Sequence, residues 1–369
     1  MLCFSMTETS GLPRMMGSEQ LDVAGASALV SDLRAKFMEG VTRPLKWRKQ
    51  QILGVKQFLD DHARDIEDAV EKDLGRSAFL TQVGETVVLQ GCIKRTLADL
   101  KKWMAPEKVN GGPLVHPSKC EVVSEPLGVV LVIGPWNFPI ILHLEPLVGA
   151  LAAGNAVVMK MSELCPHVSS LIVTSLPKYV DQSAVSIVQG GPAVGEALLK
   201  QRWDKIFFTG GLSVGKLVLS AAAQHVTPVT LELGGKSPTI VDATSDLRVA
   251  ARRIANTKFC INAGQICLAP DYVLVEEVVA SQLVDELVKA IKEFMGNDVW
   301  KAEGMSKIIN VRHMDRLANM MKDATATNLP GTIVYGGVFD KERSWGLPAA
   351  APTKVMKMDA TIARLDIQP

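Results

Sequence analysis

Val129-Val130-Leu131-Val132-Ile133, Ala156-Val157-Val158-Met159, Val185-Ser186-Ile187-Val188 and Ile206-Phe207-Phe208 are four short apolar runs, rich in β-branched residues. Helix-like stretches at 143–153, 168–180 and 213–223 follow the first, second and fourth of them. Strands alternating with helices at this spacing predict βαβ units and a mostly parallel sheet. Runs that stay apolar instead of alternating with polar residues predict a sheet covered on both faces.

Upstream, the first hundred residues carry helical periodicity. Leu29, Leu33 and Phe37 share one face, as do Ile52, Val55, Phe58 and Leu59. Trp47-Arg48-Lys49-Gln50 and Lys101-Lys102-Trp103 are expected to be solvated helix faces with snorkelling stems, not nucleic-acid contacts. Asn110-Gly111-Gly112-Pro113 is a break. Residues 1–24 have neither the long apolar run nor the positive lead of a leader peptide, and predict a flexible extension. Downstream, strands at 229–231, 239–241 and 272–275 and helices at 247–259 and 278–294 make a second alternation. Glu232-Leu233-Gly234-Gly235-Lys236 between the two halves predicts a domain boundary or hinge.

Composition narrows the class. The chain has 369 residues, enough for two or three domains at roughly 150 residues each. Forty basic against 39 acidic residues leave a net charge of +1, which excludes the uniform basic field of a nucleic-acid coat. Residues 126–144 contain no Lys, Arg, Asp or Glu, but Gly134, Pro135, Asn137 and Pro139 interrupt them. A buried strand entering a loop is expected there, not a membrane span. The six cysteines include no CxxC pair, and the six histidines show no metal-type spacing. Reduced thiols in a cytoplasmic protein, with no metal site, are the expectation.

Three features point to chemistry. Gly210-Gly211-Leu212-Ser213-Val214-Gly215-Lys216 follows a strand and opens a helix, where bare N–H groups and the positive helix end favour phosphate. Leu217 stands where a Walker A loop needs Ser or Thr for magnesium, and Gly-x-Gly-x-x-Gly is absent. A plain structural turn remains open on this segment alone. Cys267, after Gly264-Gln265-Ile266, is expected on an exposed loop, either as a nucleophile if its surroundings favour the thiolate or as a small apolar residue. Glu232 ends an apolar strand, where a burying environment would make it a general base and an open one a plain surface carboxylate. His143, beside an apolar helix, is expected to be a packed core residue.

Taken together, the motifs resemble the aldehyde dehydrogenase family. Pro135-Trp136-Asn137-Phe138-Pro139, Lys160-Met161-Ser162-Glu163, Phe208-Thr209-Gly210-Gly211, Glu232-Leu233-Gly234-Gly235-Lys236-Ser237-Pro238 and Gly264-Gln265-Ile266-Cys267 occur in the family's order and spacing. Residues 223–238 are similar to its class 3, fatty-aldehyde type in particular. The resemblance covers about residues 25–353 and implies an α/β fold of two Rossmann-like, doubly wound domains. An NAD(P)-binding domain is expected over 25–231, with a bridging excursion near 105–125, and a catalytic domain over 232–353.

The resemblance implies NAD(P)-dependent oxidation of a medium- or long-chain aldehyde to an acid. Cys267 would be the nucleophile, Asn137 and the Cys267 N–H the oxyanion donors, and Glu232 the base that activates water. Lys160 and Glu163 would hold the adenosine ribose. Gly210, Gly211, Gly215, Trp136 and Leu233 would complete the site for NAD or NADP. A homodimer is the family's assembly. The Glu232 base argues against an acylating, CoA-dependent enzyme.

Two departures shape further expectations. Met161 stands where the family usually has proline, and the family's later Glu-x-Phe-Gly-Pro segment is absent. Similarity fades after Ala351-Pro352-Thr353, so 354–369 is expected to be a divergent tail and the catalytic domain incomplete, with an unpaired sheet edge after Val334. The alternative function is that of a truncated, catalytically impaired isoform that binds nucleotide or a full-length partner.

Overall fold

The structure, a computed structural model, describes residues 21–296, 302, 306–326, 334–340, 345–347, 351–352 and 360–364. The flexible extension expected over 1–24 lies outside them up to residue 20. Beyond that point the expectation is corrected: Leu21 is buried, and the Asp22 carboxylate accepts the Gly25 N–H at 2.8 Å, capping the first helix.

Five helices lead the described chain: α1 (Val23–Met38), α2 (Leu45–Asp61), α3 (Ala63–Leu74), α4 (Ala78–Thr81) and α5 (Val87–Trp103). A π-turn, Gln82–Thr86, joins the last two. The predicted apolar faces point inward, with Ile52, Val55 and Phe58 fully buried. Arg48 departs from the solvated face expected for it. It is 6% exposed, and its guanidinium donates to the carbonyls of Ala152 at 3.0 Å and Arg43 at 3.1 Å. A cation that satisfies the open carbonyls of a helix end is stabilised by them, so burial is tolerated. The excursion is a short antiparallel arm, β1 (Glu107–Val109) paired with β2 (Cys120–Val122).

The central sheet follows from the four apolar runs. Its elements are β3 (Val129–Ile133), α6 (Ile141–Ala152), β4 (Ala156–Lys160), α7 (Pro166–Ser175), β5 (Val185–Val188), α8 (Pro192–Leu199), β6 (Lys205–Gly210), α9 (Leu212–Ala223) and β7 (Val229–Leu233). All pairs are parallel, in the order β5-β4-β3-β6-β7. Alternate residues feed two cores. Val130, Val132, Val157 and Met159 pack towards α2, α5, α6 and α7. Val129, Leu131, Val158 and Ile206 pack towards α1, α8 and α9. The boundary expected after 231 falls inside β7, because Glu232 and Leu233 pair with Thr209 and Gly210.

The second sheet has the order β12-β13-β9-β8. Here β8 (Pro238–Val241) runs parallel to β9 (Tyr272–Glu276), with α10 (Leu247–Ala255) between them and α11 (Glu277–Met295) after. Val273, Val275, Ala251, Ile254 and Leu287 share its core. Further on lie α12 (Val311–Ala326), β10 (Val338–Asp340), β11 (Trp345–Leu347), β12 (Ala351–Pro352) and β13 (Ala360–Arg364). Two expectations are corrected here. The tail over 354–369 contributes β13, and β13 pairs antiparallel with β9, so the sheet expected to lack pairing strands after Val334 gains one at β9. The physical reason is that an edge of free N–H and C=O groups takes any segment that can extend beside it. No helix among the described residues is long and apolar enough to cross a membrane.

Candidate active site

Strand order places the site. The chain moves outward from β3 to β4 and β5, then returns to β6 on the other side of β3. Ligands bind in the crevice where a parallel sheet reverses direction in this way, outside the carboxyl ends of its strands. A cleft of about 1820 Å³ opens there, and Asn137, Lys160, Glu163, Gly210, Glu232 and Cys267 all line it. Trp136, Leu233 and Gly211 line it as well.

Lys160 ends β4 and is 6% exposed. Its ammonium donates to the Met161 carbonyl at 3.1 Å and stands 3.5 Å from the Glu163 carboxylate. Burial lowers the Lys160 pKa, and the Glu163 charge acts against that. An ammonium beside a carboxylate offers donors and acceptors together, the pattern a vicinal diol needs. Gly211 caps α9 without a side-chain hydrogen bond, which leaves the first-turn amides of that helix to the cleft. These residues fit a nicotinamide dinucleotide, with Lys160 and Glu163 suited to a ribose and the α9 end suited to phosphate.

Gly215 is the exception among the predicted site residues, because it does not line the cleft. It faces the sheet instead. A Cβ there would stand 2.9 Å from Leu233 Cδ2, so its glycine lets α9 close onto β7. The segment 210–215 is therefore part contact and part packing.

Cys267 is exposed, on the loop between a left-handed turn and β9. Asn262, Ala263 and Gly264 have φ of 50, 50 and 75°. A Cβ on Gly264 would lie 2.5 Å from the Lys258 carbonyl, so only glycine fits. Ala263, fully buried, holds a conformation that L-residues avoid, the kind of strain that surrounding structure must over-determine. Gln265 provides much of that constraint. Its amide donates to Asn262 O at 3.0 Å and Lys307 O at 2.8 Å, and its oxygen accepts the Ile309 N–H at 3.1 Å. The Asn137 amide donates to the Gln265 carbonyl at 3.0 Å, which ties the end of β3 to the Cys267 turn. Ser237 Oγ donates to the Cys267 carbonyl at 3.3 Å, which ties in the turn that follows β7.

Glu232 is exposed on β7 rather than in the burying environment one reading of the sequence required. A strand's pleat alternates its faces, and the neighbours of Glu232 on β7, Leu231 and Leu233, are half-buried. His143 is the packed core residue expected, fully buried, with burial lowering its pKa to about 4. Sequence reasoning missed Arg312, His313 and Arg316 of α12, which also line the cleft, with the His313 ring 5.7 Å from that of Trp136. Their i, i+1, i+4 spacing marks one helix face, but nothing local says what that face meets. Among the described residues no group of three or more His, Cys, Asp or Glu could hold a metal ion.

Comparison with known proteins bears on this geometry. The model of the Aldehyde dehydrogenase family matches residues 15–367, which takes in most of the tail expected to be unrelated. The chain is 44% identical over 319 residues to Aldehyde dehydrogenase family 3 member H1 of Arabidopsis thaliana, covering 86% of this chain and 65% of that protein. It is 40% identical over 333 residues to the dimeric NADP-preferring aldehyde dehydrogenase of Canis lupus familiaris, covering 90% of this chain and 71% of that protein. Among solved structures, the substrate-bound state of Staphylococcus aureus AldH is similar with a TM-score of 0.82 and 35% identity, over 87% of this chain and 69% of that one. The chain thus spans just under two thirds of the length of the Arabidopsis relative.

Proposed function

The chain belongs to the aldehyde dehydrogenase family, and we propose that it oxidises aldehydes to carboxylic acids with NAD or NADP. The observation that carries this is the convergence of Cys267, Asn137, Glu232 and the Lys160–Glu163 pair on one cleft. The Cys267 thiolate attacks the aldehyde carbon and forms the C–S bond of a thiohemiacetal. The oxygen that gains charge is met by the Asn137 amide and the Cys267 N–H. Asn137 carries two amide hydrogens, of which one is used on Gln265. A nicotinamide held in the cleft would supply the acceptor for the hydride that this carbon must lose. A thioester remains on Cys267. Glu232 is exposed rather than buried, but it lines the same cleft as Cys267. From there its carboxylate takes the proton of the water that attacks the thioester carbon, as the C–S bond breaks and the Cys267 thiolate leaves.

Lys160 and Glu163 would hold the adenosine ribose, and Trp136, Leu233, Gly210 and Gly211 would wall the cofactor. The Glu163 carboxylate disfavours a 2′-phosphate without excluding it. The substrate is a medium- or long-chain aldehyde and the compartment the cytoplasm, while a homodimer is an assembly of the family and is not assigned to this chain. The domain division is an NAD(P)-binding unit, now drawn to Leu233, followed by a catalytic unit. The test is reduction of NAD or NADP by a series of aldehydes, followed by absorbance. Turnover that Cys267→Ala abolishes supports the proposal. Nucleotide binding without turnover on any aldehyde would favour the catalytically impaired isoform.

A further inference from the structure

Arg76 and Glu85 belong to none of the motifs that mark the cleft, and neither lines it. They form an ion pair, Arg76 Nη2 to Glu85 Oε1, with side chains 1% and 0% exposed. Taking two charges out of water is costly unless good geometry and further hydrogen bonds compensate. Those further bonds all go to one place. Glu85 Oε2 accepts the backbone N–H of Ile140 at 2.7 Å and of Ile141 at 2.9 Å. Arg76 Nη1 donates to the carbonyl of Asn137 at 3.2 Å, and the guanidinium lies 4.8 Å over the ring of Phe138. The pair therefore grips the chain on both sides of the turn that follows Asn137. From the opposite side, the Asn262 amide donates to the same Asn137 carbonyl at 3.1 Å.

The local structure serves this placement. Glu85 sits in the π-turn between α4 and α5, where one extra residue per turn shifts the side-chain register. Burial raises the Glu85 pKa, while the Arg76 charge and the two amides act to keep it ionised.

We propose that the Arg76–Glu85 pair is a positioning device for Asn137: it fixes the backbone of 137–141 and thereby aims the Asn137 amide as an oxyanion donor beside Cys267. The idea rests on the role given to Asn137 in the proposed function. Neither Arg76 nor Glu85 touches substrate, and both act through Asn137. Misplacing a reacting group by about an ångström can cost a hundredfold in rate, and losing an oxyanion donor a hundred- to a thousandfold.

The test uses the 369-residue chain and p-nitrophenyl acetate without nucleotide. The Cys267 thiolate attacks the ester carbonyl and the tetrahedral oxyanion collapses. The C–O bond breaks, p-nitrophenolate leaves, and the acetyl group remains on sulfur. Arg76→Lys keeps the charge but not the fork that reaches Glu85 and Asn137 together. Arg76→Lys and Glu85→Gln should each slow acylation about tenfold to a hundredfold. In an Asn137→Ala background, adding Arg76→Lys should change the rate by less than about twofold, because effects routed through one residue do not add. Equal slowing by Arg76→Lys in both backgrounds would overturn the proposal. So would single variants that acylate at the parent rate, or an Asn137→Ala chain that does. If Glu85→Gln does not fold, Arg76→Lys carries the test alone. Ester acylation needs no nicotinamide. Asn137-dependent acylation without aldehyde oxidation would therefore sink the dehydrogenase reading and leave the positioning role supported.

Discussion

The parallel sheet and the mixed sheet differ in how much chain each requires. The first is complete within residues 129–233, assembled from consecutive βαβ units and covered on both faces. The second joins 238–241 and 272–276 to 351–352 and 360–364, so its far edge comes from the other end of the chain. Its opposite edge, β8, carries Ile240 at 77% exposure, whereas Ile206 in the first sheet is 1% exposed. The two sheets carry different parts of the proposed chemistry. Residues suited to nucleotide sit at the strand ends of the self-contained sheet. Cys267, the proposed nucleophile, rides on the loop that enters the non-local one, and Asn137 and Gln265 hydrogen-bond across the seam.

Four substitutions test this division. The largest effect is expected from Cys267→Ala, which should lower aldehyde oxidation by at least about a thousandfold. Nucleotide affinity, measured by calorimetry, should stay unchanged, because no strand of the first sheet is touched. Loss of binding together with turnover would mean that the two tasks are not separable.

Leu131→Ala acts on the first sheet itself. Leu131 is fully buried, so denaturant unfolding should show a loss of about 2–5 kcal/mol, with nucleotide binding weakened as the strand ends loosen. A small loss would indicate that this core can collapse around the cavity.

His143 gives the same region a pH signature. Its folded pKa is about 4 against an ordinary 6.5, so as pH falls below 6.5 the unfolded chain takes up a proton that the native state refuses. Stability present above that value should be lost progressively down to pH 4, by about 3 kcal/mol in all. His143→Leu should flatten that part of a stability-against-pH curve. An unchanged slope would assign it to the carboxylates.

The smallest effect is expected at the exposed edge. Ile240→Lys should change stability by no more than about 0.5 kcal/mol while reducing self-association, because a charge on an open strand opposes strand pairing. Sedimentation checks the second part, and a large loss of stability would show that Ile240 is covered in solution.

What the sequence made legible was local. The apolar runs at 129–133, 156–159, 185–188 and 206–208 coincide with β3 to β6 because each needs only its own residues to declare it. Every predicted site residue except Gly215 lines the cleft, since these residues stand at or near strand ends within short motifs. The membership of β7 was not, because Val229–Leu233 is a strand in either domain until its partner β6 is known. The same holds for Ala360–Arg364, whose place depends on an edge over eighty residues away. Gly215 has a glycine's signature whether it contacts a phosphate or a leucine. Arg76, Glu85 and Arg48 look like surface residues of helical segments. Only tertiary structure supplies the carbonyls and amides that make their burial tolerable.

Cys267 Sγ is the atom proposed to carry the acyl group, and one measurement meets that directly. The Glu232→Gln chain, mixed with an aldehyde and NAD or NADP and quenched in acid, can be weighed intact and its peptides mapped. With the water-activating carboxylate removed, the thioester should accumulate. The predicted result is one acyl group on Cys267 that appears only when the nucleotide is present. No adduct, an adduct on another cysteine, or the same adduct without nucleotide would contradict the account.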